Sequence, residues 1–307
     1  MTTVYQIEAS QSPVARALFE AAGVSFDRSY WEAAFDGRVA SRLFVDDADH
    51  PSSALLTRTY DFFLAGSASP ALLSFFADAP PETNVFEWFY GIVPLTAAWR
   101  DALPVAFPEL VHEDRRAFRL PANGFDRARD WAASIPEGVR VDALDAELAR
   151  QADEEVPEVI SILWDGYDIF ARSGWGFAAI DPDDHILSTA YACGLTDREV
   201  NIGVGTANQA QRRGLAKLVC QACIANAERI GLDVTWDCDR PNEGSGRLAE
   251  SLGFIEEDSF IEYAFSDRVV PRGVEGIWVK REMRDGVVAW ERGVESSIPR
   301  ADETSIP

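Results

Sequence analysis

The stretch Glu199-Val200-Asn201-Ile202-Gly203-Val204-Gly205-Thr206, followed after a short polar segment by Gln211-Arg212-Arg213-Gly214-Leu215-Ala216, decides the fold. In the first run Val200, Ile202 and Val204 alternate with other residues, the pattern of a half-buried strand. In the second, Leu215, Leu218, Val219, Ala222, Cys223 and Ile230 recur at helical spacing, so a helix is expected to start there. A further apolar strand ends at Trp236-Asp237-Cys238, and a second helix pattern runs from Asn242 to Phe254.

The junction between strand and helix carries the chemistry. The first N–H groups of a helix lack intrahelical partners, and the helix dipole is positive at that end. Small residues such as Gly214 and Ala216 let a phosphate approach those groups, and Arg212, Arg213 and Lys217 add positive charge. Taken alone, a single glycine in such a turn also fits a tight connection without a ligand.

The motif Gln211-x-x-Gly214-x-Ala216 resembles the acyl-CoA signature of the GNAT acetyltransferase superfamily. Asn242-x-x-Ser245-x-x-Leu248-Ala249-x-x-Leu252-Gly253-Phe254 is similar to the helix that follows in the branch containing the zwittermicin A resistance acetyltransferase. The likeness spans roughly residues 140 to 265. It implies an α/β fold with a mixed α+β sheet: a GNAT-type acyl-CoA-binding core preceded by a smaller α/β N-terminal domain.

Composition sets the bounds. The 307 residues are 47% hydrophobic, enough for two units with real cores. No run of about 18 apolar residues exists, and Met1 to Gln6 lack a basic-then-apolar leader, which suits a cytoplasmic protein without a membrane partner. A net charge of −23 repels nucleic acid and anionic membranes. Cys193, Cys220, Cys223 and Cys238 lack paired zinc-ligand spacing and read as buried thiols, so no metal is expected. A homodimer is left open.

Along the chain, helices are expected near Pro13–Ala22, Ser29–Ala34 and Ser69–Ala77, and strands at Leu43–Asp47 and Arg115–Leu120. The aromatic segment Phe86 to Tyr90 reads as core or as part of an acceptor pocket. The Pro- and Gly-containing segment 121–138 is the expected boundary between a first unit (1–138) and a second (139–266), with a C-terminal extension at 267–307. The second unit reads β–α–α–β–β–β–α–β–α–β, the order implied for a GNAT core. Strands are also expected at 276–279 and 286–290, and disorder at 295–307.

The resemblance implies a role for each site residue. Acetyl-CoA would place its pyrophosphate at Gln211, Arg212, Arg213, Gly214, Leu215, Ala216 and Lys217, and its pantetheine arm along Val204 and Thr206. Transfer to a small-molecule amine needs that amine neutral, so a base must take its proton; Glu199 is the candidate, with an ion-paired strand residue the alternative. Many relatives protonate the leaving thiolate with a tyrosine where this chain has Ala249; Tyr263 is the nearest substitute by topology, or a structural tyrosine. Asn242 and Ser245 either touch the cofactor or cap their helix, and Asp237 either recognises a cationic acceptor or starts a turn. A non-catalytic acyl-CoA-binding or sensing protein is the rival reading.

Overall fold

A computed structural model describes residues 2–24, 26–58, 61–78, 91–156, 159–265 and 278–292. The aromatic segment at 86–90, the extension at 267–277 and the tail at 295–307 lie outside the described residues. In the first half the elements are β1 (Thr3–Ile7), α1 (Pro13–Ala21), α2 (Arg28–Phe35), β2 (Arg42–Val45), β3 (Ser53–Arg58) and β4 (Asp61–Gly66). Then come α3 (Pro70–Asp78), β5 (Gly91–Pro94), α4 (Ala97–Ala106) and β6 (Leu110–Arg119). The second half has β7 (Arg140–Ala143), α5 (Ala146–Glu155), α6 (Ile160–Leu163), α7 (Tyr167–Ser173), β8 (Gly176–Ile180) and β9 (Ile186–Leu195). It continues with β10 (Glu199–Thr206), α8 (Leu215–Ile230), β11 (Asp233–Asp239), α9 (Glu243–Leu252) and β12 (Ile255–Phe265). A hairpin of β13 (Trp278–Glu282) and β14 (Val288–Arg292) follows.

All fourteen strands join one sheet, ordered β13-β14-β1-β2-β3-β4-β5-β12-β6-β11-β10-β9-β8-β7. The order holds an internal repeat. Strands β1 to β5 are antiparallel neighbours except for the parallel pair β4/β5, and β7 to β11 repeat this with β10/β11 as their parallel pair. Each half then takes its sixth strand from the other: β12 pairs with β5, and β6 pairs with β11. The two exchanged strands run antiparallel to one another along most of their length, from Ile255↔Arg119 to Phe265↔Leu110. Described strands from both sides of the expected boundary at 121–138 share this one sheet. No sequence motif marks the repeat, because strand pairing depends on apolar pattern and not on residue identity.

The sheet also bends back on itself. Helix α2 packs on β3 of its own half and on β9 and β10 of the other. Arg58 on β3 donates to the Cys193 carbonyl of β9 at 2.8 Å, and Tyr30 on α2 donates to Asn201 of β10 at 3.2 Å. One core unites both halves on this side, around Phe19, Trp31, Leu56, Trp164 and Val200. A second, made of Phe44, Phe62, Phe75, Trp99 and Trp290, lies under α3 and α4 and is closed by β14. On α8 the expected stripe Leu215, Leu218, Val219, Ala222 and Cys223 is buried, but Ile230 is 43% exposed. The helix ends there, with Gly231 at φ +78° as its C-cap, so the last position turns out of the stripe. All four cysteines are buried.

Strand exchange has a mechanical consequence. A protease site introduced at the exposed Gly138 and then cleaved should leave the two pieces co-migrating in gel filtration until denaturant is added. Pieces that separate in native buffer would contradict the exchange of β6 and β12.

Candidate active site

The parallel pair β10/β11 is joined at only three rungs, Glu199↔Asp233, Val200↔Val234 and Asn201↔Thr235. Beyond Asn201 the two strands part, and a register shift against β9 at Asn201/Ile202 helps turn β10 away. The β10 edge from Ile202 to Thr206, which includes Val204 and Thr206, thus has no ladder partner on the β11 side among the described residues. Such an edge offers N–H and C=O groups to an extended amide chain. The Thr206 hydroxyl lies 2.8 Å from that of Ser188 on β9.

At the far end of this slot stands the N-terminus of α8. Gly214 is its N-cap at φ +80°, no side chain caps the helix, and Arg212 is left-handed at φ +61°. Left-handed residues in such a turn aim successive N–H groups into a shared concavity, the geometry of an anion nest. A Cβ added to Gly214 would meet no atom within 4 Å, so space for a phosphate exists in front of it. Gln211, Arg212, Arg213 and Gly214 are exposed, Ala216 and Lys217 are half-buried, and Leu215 anchors the turn in the core. Gln211 donates to Asn208 at 3.2 Å, bracing the preceding loop.

At the closed end, charge gathers on the face covered by α2. Asn201 donates to Asp237 at 2.9 Å, and Arg115 of β6 binds Asp237, Asp239 at 2.6 Å and Glu262 of β12 at 2.9 Å. Nearby, Glu199 is 6% exposed: one oxygen lies 3.8 Å from Arg119, and the other has no hydrogen-bond partner. Burial pushes its carboxyl above the usual range, against the pull of Arg119 and Arg28. A raised carboxylate with a free oxygen suits a general base working near neutral pH.

Comparison with known proteins now decides the family. A sequence profile described as GNAT acetyltransferase matches residues 23–263. The chain belongs to the GNAT acetyltransferase family. A Bacillus subtilis (strain 168) protein named Uncharacterized N-acetyltransferase YdfB is 23% identical over 222 residues, 71% of this chain and 83% of its own. The crystal structure of a GCN5-related N-acetyltransferase-like protein from Streptococcus suis superposes with a TM-score of 0.66 at 22% identity, over 85% of this chain and 100% of that one. A tandem GNAT protein from the clavulanic acid biosynthesis pathway gives 0.53 at 11% identity, over 85% of this chain and 97% of its own. The two structural likenesses establish the fold.

Members of the GNAT family use acetyl-CoA as donor, and the slot and cradle here have the corresponding form. Of the site residues read from the sequence, Val204 and Thr206 lie on the part of β10 beyond its last rung with β11, and residues 211–217 form the turn into α8 and its first residues. Asn242 and Ser245 are committed locally. Asn242 accepts from the Ser245 N–H at 3.1 Å as N-cap of α9, and the Ser245 hydroxyl accepts from Trp236 at 3.0 Å. Ala249 is fully buried in the core. Tyr263 is not brought to the slot: it belongs to the core under α3 and α4, and its hydroxyl donates to the Arg100 carbonyl at 3.3 Å. Asn201, Arg115, Glu262, Asp27 and Asp61 escaped sequence reasoning. A polar Asn201 inside an apolar strand was the one visible signal.

Among the described residues, the parallel pair of the N-terminal half does not part in the same way. Its pair β4/β5 stays zipped for all four β5 residues, and the Leu95 N–H extends the ladder to Leu64. Thr96 donates to the Gly66 carbonyl at 2.8 Å and Trp99 to that of Ala65 at 3.1 Å. The protein's own side chains thus fill the place the slot occupies on the other side.

The acidic centre makes stability depend on pH. Burial pushes Glu262 up to about 7, and Asp27 and Asp61 well above the carboxylate range. In the unfolded chain such groups ionise near pH ~4, so between there and about 7 the folded state binds more protons and stability falls as pH rises. Thermal midpoints of the ligand-free protein should therefore rise from pH 7.5 to 5.5, and Glu262→Gln should show a smaller rise. An equal rise in both proteins would refute the assignment to Glu262.

Proposed function

We propose that this protein is an acyl-CoA-dependent N-acyltransferase that moves acetyl from acetyl-CoA to a small-molecule amine in a ternary complex, without a covalent enzyme intermediate. The observation that carries this reading is the parting of β10 and β11 after Asn201, aligned with the uncapped start of α8. The N–H groups of Arg212 through Lys217 would hold the pyrophosphate, and the free β10 edge at Val204 and Thr206 the pantetheine amides. The nest and helix dipole supply charge complementarity there even though the chain as a whole is strongly acidic.

Glu199 would take the proton from the attacking amine. With Ala249 in the core and Tyr263 bonded to Arg100, the leaving thiolate would be protonated by solvent. That is feasible because a thiol of pKa ~8.5 leaves readily as thiolate at neutral pH. The motifs at 211–216 and 242–254 resemble those of the branch that includes the zwittermicin A resistance acetyltransferase, which supports a place for the chain near it. The repeated order of elements also agrees with the tandem GNAT description of one structural neighbour.

Thermal-shift titration with acetyl-CoA, CoA and ATP tests the cradle. At a hundredfold excess over Kd the two CoA species should stabilise the wild type by about 2.7 kcal/mol. Gly214→Glu should abolish that gain by placing a carboxylate in the phosphate space. No stabilisation by either CoA species would refute the reading. In a free-thiol assay with an amine acceptor, Glu199→Gln should lower kcat/KM by roughly 10²–10⁴-fold while leaving acetyl-CoA binding in place. Binding without thiol release from any acceptor would instead support an acyl-CoA sensor.

A further inference from the structure

On the sheet face covered by α2 lies a cavity of about 70 Å³, whose wall includes Asp27, Tyr30, Asp61, Arg115, Asp237 and Glu262. One water needs ~10–15 Å³ on this measure, so the space holds several waters or a short aliphatic chain. Asp27 and Asp237 also line a narrower groove beside it, together with Asn201, Thr235 and Arg119. The cavity therefore opens off the rung at which β10 and β11 part, where an acyl group in the slot would end.

The wall carries more negative charge than the protein itself balances. Arg115 serves Asp237 and Glu262, and Glu262 lies so close over Gly91 that a Cβ there would sit 1.5 Å from its Oε1. By contrast, among the described residues the side chains of Asp27 and Asp61 make no hydrogen bond or ion pair, and Asp27 does not cap α2 although it occupies the N-cap position. The protein surrounds both, yet each keeps some accessible surface, and the cavity supplies it. The other nearby cation, Arg58, is 1% exposed, lies 4.9 Å from the Tyr30 ring centre and has Nε and Nη1 without partners. Arg115 is thus shared by Asp237, Asp239 and Glu262, and among the described residues Asp27 and Asp61 line the cavity without a guanidinium partner of their own. Buried carboxylates in that state either hold protons or await a cationic ligand.

We propose that this cavity is the acceptor end of the acyl-transfer site and that it takes a small aliphatic diamine or polyamine. Asp61 and Glu262 hold the distal ammonium, Asp27 lies along the chain, and the proximal amino group is presented at the Asn201 rung. A dication offers one ammonium to each end of this acidic wall. A monoamine supplies one, and an amino acid brings a carboxylate against the acidic wall. In the reaction the proximal ammonium gives one proton to Glu199, and its lone pair forms a C–N bond to the acetyl carbonyl carbon. The C–S bond breaks, the sulfur leaves as CoA thiolate, and the nitrogen releases its second proton to solvent, from which the thiolate takes one. The product is a mono-N-acetylated diamine with one positive charge left. That lower charge weakens its hold on the cavity and favours release.

The inference rests on the acyltransferase reading, and one set of calorimetric titrations separates the two. Wild type, Asp61→Asn and Asp27→Asn are titrated near neutral pH with 1,4-diaminobutane, with 1-aminobutane and, separately, with acetyl-CoA. The diamine should bind the wild type at least about tenfold more tightly than the monoamine, and each variant should lose about tenfold for the diamine. Acetyl-CoA affinity should stay unchanged in both variants. Asparagine tolerates the left-handed φ of +53° at Asp27, so Asp27→Asn keeps its backbone and remains informative if Asp61→Asn folds poorly. Equal affinity for diamine and monoamine, or full diamine affinity in both variants, would overturn the proposal even with acetyl-CoA bound normally. Failure to bind acetyl-CoA would count against the acyltransferase reading alone, because the diamine titration judges the cavity by itself.

Discussion

The structure turns on where two parallel strands stop pairing. Strands β10 and β11 share three rungs and then separate, and the bond from Asn201 to Asp237 spans the last of them. Asp237 is held in turn by Arg115, which reaches it from the exchanged strand β6. Zipping the strands further would gain a few ladder bonds but close the slot. The N-terminal half shows that alternative: β4 and β5 stay paired, and Thr96 and Trp99 satisfy the carbonyls beyond. A single polar residue at the rung thus accompanies the difference between an open and a closed copy of one topology.

Strand exchange gives the open copy its chemistry. Because β6 and β12 cross between halves, Arg115 and Glu262 stand side by side at the middle of the sheet, although they belong to different repeats. Because the sheet bends back, α2 of the first half covers β10 of the second and brings Asp27 and Tyr30 over the site. Neither half alone holds the complete wall. On the proposed reading a division of labour follows, in which the second half would bind the donor and both halves would enclose the acceptor.

Electrostatics separates the two ends of the site. The cradle at α8 offers backbone N–H groups and exposed arginines to an anion, while the centre of the sheet offers carboxylates. Burial raises the carboxyl groups of Glu199, Asp27, Asp61 and Glu262 together, Glu262 to about 7, so this region gives up its protons at higher pH than ordinary carboxylates do. The overall charge of −23 says little about this arrangement, since it is spread over a surface that screens it.

How much of this was legible in the residues depends on range. The sequence by itself determined the strand at 199–206, the glycine-bearing turn at 211–217, the apolar stripe of α8 and the order of elements in the second half. Each of these is local: alternation, helical spacing and a glycine at a left-handed cap act over a few residues. It also left Asn242 open between capping and cofactor contact, and the bond to the Ser245 N–H shows a cap. Only the tertiary structure decided that the first half repeats the second, that β6 and β12 change places, and that Tyr263 faces the wrong core for the slot. Only it placed Asp27, Asp61, Arg115, Asp237 and Glu262 around one cavity. Those residues are scattered from position 27 to position 262 and have no common spacing. What joins them is the closure of long loops by strand pairing, and a local pattern of residues does not encode which distant strand will be the partner.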